Sequence, residues 1–201
     1  MELIVDYGRG NLKSVKNALD QLGVDTVIGN TKEALDQADS LIIPGVGAFG
    51  DAMEALERLD LVQPIRKAAA DGKRILGICL GMQILYETGF EFGKHEGLGL
   101  IPGSVDYLDV DLKVPHMGWN DLTFAQPNDP ILKYSKEGDY VYFVHSYYAV
   151  SDGSEIVAYT NYGRKIPAIV RKGNVYGIQF HPEKSGTVGA GILRAYKELL
   201  I

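Results

Sequence analysis

Hydrophobic positions along the first half of the chain switch between two spacings. Leu3 to Tyr7 reads as a strand, and Asn11 to Leu22 puts Leu12, Val15, Ala18, Leu19 and Leu22 on one helical stripe. Thr26 to Ile28 predicts a short strand, Lys32 to Ala38 a helix, and Ser40 to Ile43 an apolar strand ending abruptly in Pro44-Gly45-Val46-Gly47. A helical stretch from Asp51 to about Ala70 follows, with a break before Pro64, where proline disfavours helical geometry in its predecessor. Arg74 to Ile78 then runs as a strand into Cys79, and Leu80 to Glu87 reads as a helix. Strands alternating with helices of this length predict βαβ units around a buried parallel sheet.

The pattern changes after Ser104. Tyr140 to Val150, Glu155 to Tyr162, Ala168 to Arg171 and Val175 to Phe180 all read as strands, with turn signals at Asp152-Gly153 and Lys172-Gly173-Asn174. These predict mostly antiparallel strands that extend the sheet or pack beside it. A helix from Val188 to Leu200 closes the chain. The expected fold class is therefore α/β, with a mostly parallel central sheet flanked by helices and added antiparallel strands in the second half. No repeat, low-complexity tract or linker divides residues 1–201, so one domain is expected.

Composition narrows the function classes. With 46% hydrophobic and 23% charged residues in 201, the chain is an ordinary globular one. A net charge of −6 without a basic stripe argues against nucleic acid as a partner. The apolar runs are too short to span a membrane, and the acidic start Met1-Glu2-Leu3 lacks a signal-peptide pattern. A single cysteine allows no internal disulfide, which makes the cytoplasm the default compartment. It also argues against a zinc site, and no pair of histidines or acids has metal-ligand spacing, so neither metal nor cofactor is expected.

That one cysteine sits in Gly77-Ile78-Cys79-Leu80-Gly81, where a predicted strand becomes a predicted helix. Such a turn is a nucleophile elbow with Cys as the nucleophile: flanking glycines allow a sharp bend and a close backbone approach. The side chain is then presented at the carboxyl end of the sheet, where open α/β folds bind ligands. A position at a helix start also favours thiolate. Of the four histidines, His95 lies in a glycine-flanked polar loop and reads as solvated, whereas His181 follows a strand and opens His181-Pro182-Glu183. In an extended segment residues two apart point the same way, so Glu183 can reach one imidazole nitrogen while the other faces the thiol, which is the orienter, base and nucleophile order of a triad. The backbone amide of Leu80 and the glycine-rich Gly45-Val46-Gly47 are the candidate oxyanion donors. Gly8-Arg9-Gly10 lacks the third glycine of a dinucleotide loop, Lys13 standing in its place, and Asn11 reads instead as a helix cap.

Taken together, Pro44-Gly45-Val46-Gly47, Gly77 to Gln83 and His181-Pro182-Glu183 resemble the class I (triad) glutamine amidotransferases. Asp6 to Leu12, Pro115-His116-Met117-Gly118-Trp119-Asn120, Tyr142 to Tyr147 and His181 to Ser185 look like the glutaminase subunits of imidazole glycerol phosphate synthase. The resemblance implies that Cys79 attacks the glutamine side-chain amide, that His181 moves the proton, and that a glutamyl thioester is hydrolysed to glutamate. It implies that Gln83, Glu91, His145, Ser146 and Tyr147 hold glutamine. It further implies that Asn11, Met117, Trp119, Asn120, Tyr142 and Lys184 lie toward a cyclase subunit, a (β/α)8 barrel that receives the ammonia in a heterodimer.

The sequence departs from the family at Gly89-Phe90-Glu91, where only Glu91 remains of the usual acids, and at Gly186, where glutamine is common. Tyr140 and Tyr148 read as core aromatics, and Trp119 fits core or interface equally. Other classes remain to be weighed. A different cysteine hydrolase would be expected to carry papain-like or caspase-like local signatures, which are absent. A flavodoxin-like binding module would leave the glycine turns and the Cys–His–Glu order unexplained. Within the family, a glutaminase serving pyridoxal phosphate synthase is the alternative, disfavoured by the Pro115 to Asn120 run.

Overall fold

The computed structural model describes residues 1–199. Leu200, the expected end of the closing helix, lies outside the described residues.

The first half forms β1 (Glu2–Val5), α1 (Leu12–Gln21), β2 (Thr26–Gly29), α2 (Lys32–Gln37), β3 (Ser40–Gly45), α3 (Phe49–Arg58), α4 (Val62–Ala70), β4 (Arg74–Cys79) and α5 (Leu80–Gln83). The next stretch forms β5 (Tyr86–Gly89), β6 (His95–Glu96), β7 (Ile101–Tyr107), β8 (His116–Asp121) and β9 (Thr123–Phe124). The last forms β10 (Tyr140–His145), β11 (Tyr147–Val150), β12 (Ile156–Asn161), β13 (Lys165–Lys172), β14 (Val175–Ile178) and α6 (Gly186–Glu198).

An eight-stranded sheet in the order β2-β1-β3-β4-β14-β13-β12-β9 is the frame. From β2 to β14 neighbouring strands run parallel, and from β14 onward they run antiparallel. Its parallel part is apolar on both faces, which is why its strands read as continuous runs. Leu3, Val5, Leu41, Ile43 and Ile75 pack under α2, α3 and α4 with Leu35, Phe49, Leu56 and Ile65. Ile4, Ile42, Leu76 and Ile78 pack on the other side against Val15 and Leu19 of α1 and Ile192 and Tyr196 of α6. Asn11 caps α1, its side-chain oxygen accepting from the Ser14 amide at 3.2 Å. The expected break before Pro64 falls at Asp60, whose φ is +55°, and Pro64 sits in the first turn of α4, where its missing N–H costs nothing.

Several expectations need correction. The helix expected over Leu80 to Glu87 ends after one turn, and Tyr86–Gly89 is a strand instead. Its backbone is claimed from elsewhere: Leu98 N donates to Ile84 O and Gly99 N to Tyr86 O. The strand expected over Tyr140 to Val150 is two strands in two different sheets. β10 pairs with β8, while β11 joins the sheet β11-β7-β5-β6, with Ser146 between them. Tyr148 is buried as expected, but Tyr140 is exposed, because Val141, Phe143 and His145 take the inward positions of β10. His95 is half-buried rather than solvated, its ring packed where Gly50 leaves room. Among the described residues, no helix is long and apolar enough to cross a membrane.

Candidate active site

The parallel strands β3 and β4 end side by side, with Gly45 opposite Cys79. Cys79 itself adopts φ +56°, ψ −112°, a conformation an L-residue avoids and a strained elbow requires. The flanking glycines make that turn possible. A Cβ on Gly81 would overlap the Ile43 carbonyl oxygen, and one on Gly77 would overlap the Gly81 carbonyl. Tyr7 supports the neighbouring strand end, donating its hydroxyl to the Pro44 carbonyl at 2.7 Å in the space that Gly45 leaves free. Because α5 is a single turn, the helix dipole adds less to thiolate stabilisation than a longer helix would.

β14 lies beside β4, so the chain that leaves it delivers His181 to the same strand end. His181 is buried, and its amide donates to the Tyr142 carbonyl at 3.0 Å. Nδ1 donates to Glu183 Oε1 at 2.8 Å. The expected extended segment is instead a 3-10 turn over Pro182–Lys184, which brings the carboxylate back under the ring. The Glu183 side chain is 2% exposed, and its second oxygen has no protein partner, so His181 is the one neighbour bonded to its carboxylate among the described residues. Burial alone would lower the His181 imidazole. Hydrogen bonds to Cys79 and Glu183, and their charges, outweigh it and push it up to about 9.

Cys79 and His181 open into a pocket of about 330 Å3, large enough for a small amino acid. Val46, Gly47, Leu80, Gln83 and Glu91 line it from the first half, and Pro115, Val144, His145, Ser146 and Tyr147 from the second. Val46 and Gly47 stand exposed at the rim, and Gly47 takes φ +106°; Gly45 is buried beneath them.

Three comparisons with known proteins bear on this arrangement. Residues 3–195 match the family model described as glutamine amidotransferase class-I. The imidazole glycerol phosphate synthase subunit HisH of Oceanobacillus iheyensis is 51% identical over 202 residues, covering 100% of both chains. The protein of the same name from Lactococcus lactis is 51% identical over 197 residues, covering 98% of this chain and 97% of that one. The chain belongs to the HisH family of class I glutamine amidotransferases. Solved structures agree on the fold. A glutamine amidotransferase crystal structure aligns with a TM-score of 0.77 at 23% identity, covering 98% of each chain. PurLQS from Thermotoga maritima aligns with a TM-score of 0.76 at 24% identity, covering 100% of this chain and 98% of that one.

The residues that the family pattern points to are distributed unevenly around the pocket. Gln83 is buried, and its Nε2 donates to the Tyr147 carbonyl at 3.0 Å and to Gln179 Oε1 at 3.1 Å. Glu91, half-buried, accepts from the Phe49 amide at 2.9 Å, and burial raises its carboxyl. His145 lines the wall, but both its ring nitrogens are engaged inside the protein. Met117 and Trp119 are 60% and 56% exposed. Trp119 faces Tyr142 across the strand pair, with ring centroids 6.0 Å apart. Lys184 and Asn11 are exposed as well.

Two residues of the site escaped the sequence reading. Gln179 is fully buried, and its Nε2 lies 3.9 Å from Cys79 Sγ. Its spacing of two from His181 is the signal that could have found it. In the sequence His116 stands out only as part of the Pro115 to Asn120 run, yet it is buried against His145 rather than exposed with Met117 and Trp119. The alternation of buried and exposed positions along β8 separates them.

Proposed function

We propose that this chain hydrolyses glutamine to glutamate and ammonia as the glutaminase subunit of an imidazole glycerol phosphate synthase. Residues 1–201 act as one amidotransferase domain in the cytoplasm. The observation that carries the reading is the convergence of Cys79, His181 and Glu183 on one pocket of amino-acid size.

Glutamine binds with its side-chain amide over Cys79. The Oε1 acceptor of Gln83 and the carboxylate of Glu91 face its polar groups, since both N–H bonds of Gln83 are already used. Sulfur attacks the amide carbon, and the developing oxyanion is met by the backbone N–H groups of Leu80 and of the Gly45-Val46-Gly47 strand end. His181, oriented by Glu183, gives its proton to the departing nitrogen, and the C–N bond breaks to release ammonia. Water, deprotonated by His181, then attacks the thioester carbon, and the C–S bond breaks to release glutamate and restore the thiolate. Ammonia passes to a cyclase subunit, a (β/α)8 barrel, in a heterodimer. The face carrying Asn11, Met117, Trp119, Asn120, Tyr142 and Lys184 is the docking surface, supported by its exposed aromatic and apolar side chains beside the pocket.

Glutamate release from glutamine by the purified chain, alone and with the cyclase subunit and its ribotide ligand, tests this reading. We expect a low rate alone, a many-fold rise with the partner, and loss of at least about 10^5-fold in Cys79→Ala with the fold intact. Hydrolysis indifferent to that partner would move the chain to another acceptor enzyme. Wild-type activity in Cys79→Ala would overturn the nucleophile.

A further inference from the structure

The pocket wall formed by Ser146 and Tyr147 lies where the chain leaves one sheet for another. Its β7 side is held by backbone, with Tyr147 opposite Tyr107 and the Ser146 carbonyl accepting from the Leu108 amide at 2.9 Å, but the Tyr147 carbonyl is held by a line of side chains. The Tyr147 carbonyl accepts from His145 Nδ1 at 2.8 Å as well as from Gln83. His145 stands directly opposite His116 in the β8–β10 pair, and His145 Nε2 meets His116 Nδ1 at 2.9 Å. His116 Nε2 lies 3.3 Å from Asn120 Nδ2.

The direction of every hydrogen bond in this line follows from its two ends. A carbonyl only accepts, so His145 Nδ1 carries the proton. Burial drives both imidazoles down, His116 to about 4 and His145 to about 3, so each is neutral and bears one N–H. His145 Nε2 is then an acceptor, His116 Nδ1 its donor, and His116 Nε2 an acceptor in turn. Asn120 supplies the matching donor. Its amide orientation is set independently, since Nδ2 also donates to the Asn161 carbonyl at 3.1 Å and Oδ1 accepts from the Asp121 amide at 3.0 Å. The His116 ring is also stacked between Phe143 and Tyr162, with centroids at 4.7 and 4.0 Å. Its plane and both its edges are thereby fixed.

We infer that His116 is a positioning residue for the glutamine pocket: through a one-way Asn120–His116–His145 hydrogen-bond line it holds the Tyr147 carbonyl, and with it the Ser146–Tyr147 wall, in the glutamine-binding shape. A space-filling role alone would need the ring but not its N–H. The inference rests on the proposed glutaminase reading for its kinetic consequence, and on geometry alone for its tautomers.

His116→Phe keeps an aromatic ring between Phe143 and Tyr162 and removes the donor. His116→Asn returns an N–H near the Nδ1 position. In the complex with the cyclase subunit and its ligand, we expect His116→Phe to raise KM for glutamine about tenfold while kcat changes less than about threefold. His116→Asn is expected to bring KM back to within about threefold of wild type. A KM for His116→Phe within about twofold of wild type, or equal losses in both variants, overturns the inference. Nitrogen-15 NMR of the wild-type chain at neutral pH gives a second test: both rings are expected as the Nδ1–H tautomer, and Nε2–H on either ring overturns it. This arm decides the matter even where His116→Phe fails to fold. A wild-type complex that releases no glutamate, with both rings as Nδ1–H, removes the proposed function and leaves the hydrogen-bond line standing.

Discussion

Cys79 and His181 reach the same pocket from regions built on different principles. The cysteine is placed by backbone: a φ of +56° at the end of β4, held by glycines that let neighbouring chains approach within distances no side chain permits. The histidine sits on unstrained backbone, φ −95°, and is placed largely by side chains, with Glu183 accepting from its ring and the Ser185 hydroxyl donating to its carbonyl, while its amide donates to the Tyr142 carbonyl. A site placed by backbone strain tolerates no added atoms nearby, but it needs few partners. One placed by side-chain hydrogen bonds tolerates volume changes better and is sensitive to the exchange of a single polar atom.

That contrast can be sharpened by substitution. The largest effect is expected at the side-chain end. Glu183→Gln keeps the shape of the orienter but loses its charge, and glutamate release by the complex should fall about 10^3- to 10^4-fold with thermal stability nearly unchanged. An activity within tenfold of wild type would show that backbone, not Glu183, orients the ring.

At the backbone end the expected effect is on stability. Gly81→Ala drives a methyl into the Ile43 carbonyl and should cost on the order of 4 kcal/mol in urea unfolding. Gly72→Ala, at φ +84° with open space around it, should cost only about 1 kcal/mol. Similar losses in the two variants would show that the close approach of Gly81 to the Ile43 carbonyl costs no more than a left-handed φ.

Smaller again is the relief of strain at the nucleophile. Cys79→Gly and Cys79→Ala are both expected to be inactive, yet the glycine variant should be more stable by about 1 kcal/mol, because only glycine accepts this φ freely. Equal melting temperatures would mean the turn stores no such strain.

The last handle is pH. His181 is raised above its ordinary value of 6.5 to about 9 in the folded chain. Its contribution to stability is therefore complete below about 6.5 and is lost as pH rises toward about 9. Urea unfolding at intervals across that window should show wild type losing stability relative to His181→Asn. Parallel profiles would place the proton elsewhere.

Much of this was legible before any coordinates. The alternation of helix and strand, the glycine-flanked Cys79 and the His181-Pro182-Glu183 run are local patterns, and local backbone preferences carry them into the fold. The break ahead of Pro64 and the Asn11 cap belong to the same class. Elements whose hydrogen-bond partners lie far along the chain were read less well. Leu80 to Glu87 has the apolar content of a helix, but its carbonyls are taken by residues 98 and 99. Tyr140 to Val150 is an unbroken strand by pattern, and only the positions of β8 and β7 divide it at Ser146.

The sequence by itself determined the parallel sheet, the glycine-flanked turn that presents Cys79 and the pairing of His181 with Glu183, because a strained turn, a fixed φ and a two-residue spacing are written in adjacent residues. The tertiary structure alone decided that Gln179 lies beside the nucleophile and that His116 turns inward while Met117 and Trp119 face out. It also decided that His145 turns one ring nitrogen to His116. Those roles depend on which donor meets which acceptor across 29 to 100 positions of chain, and a local spacing such as that of Gln179 and His181 gives the face of a side chain but not its partner.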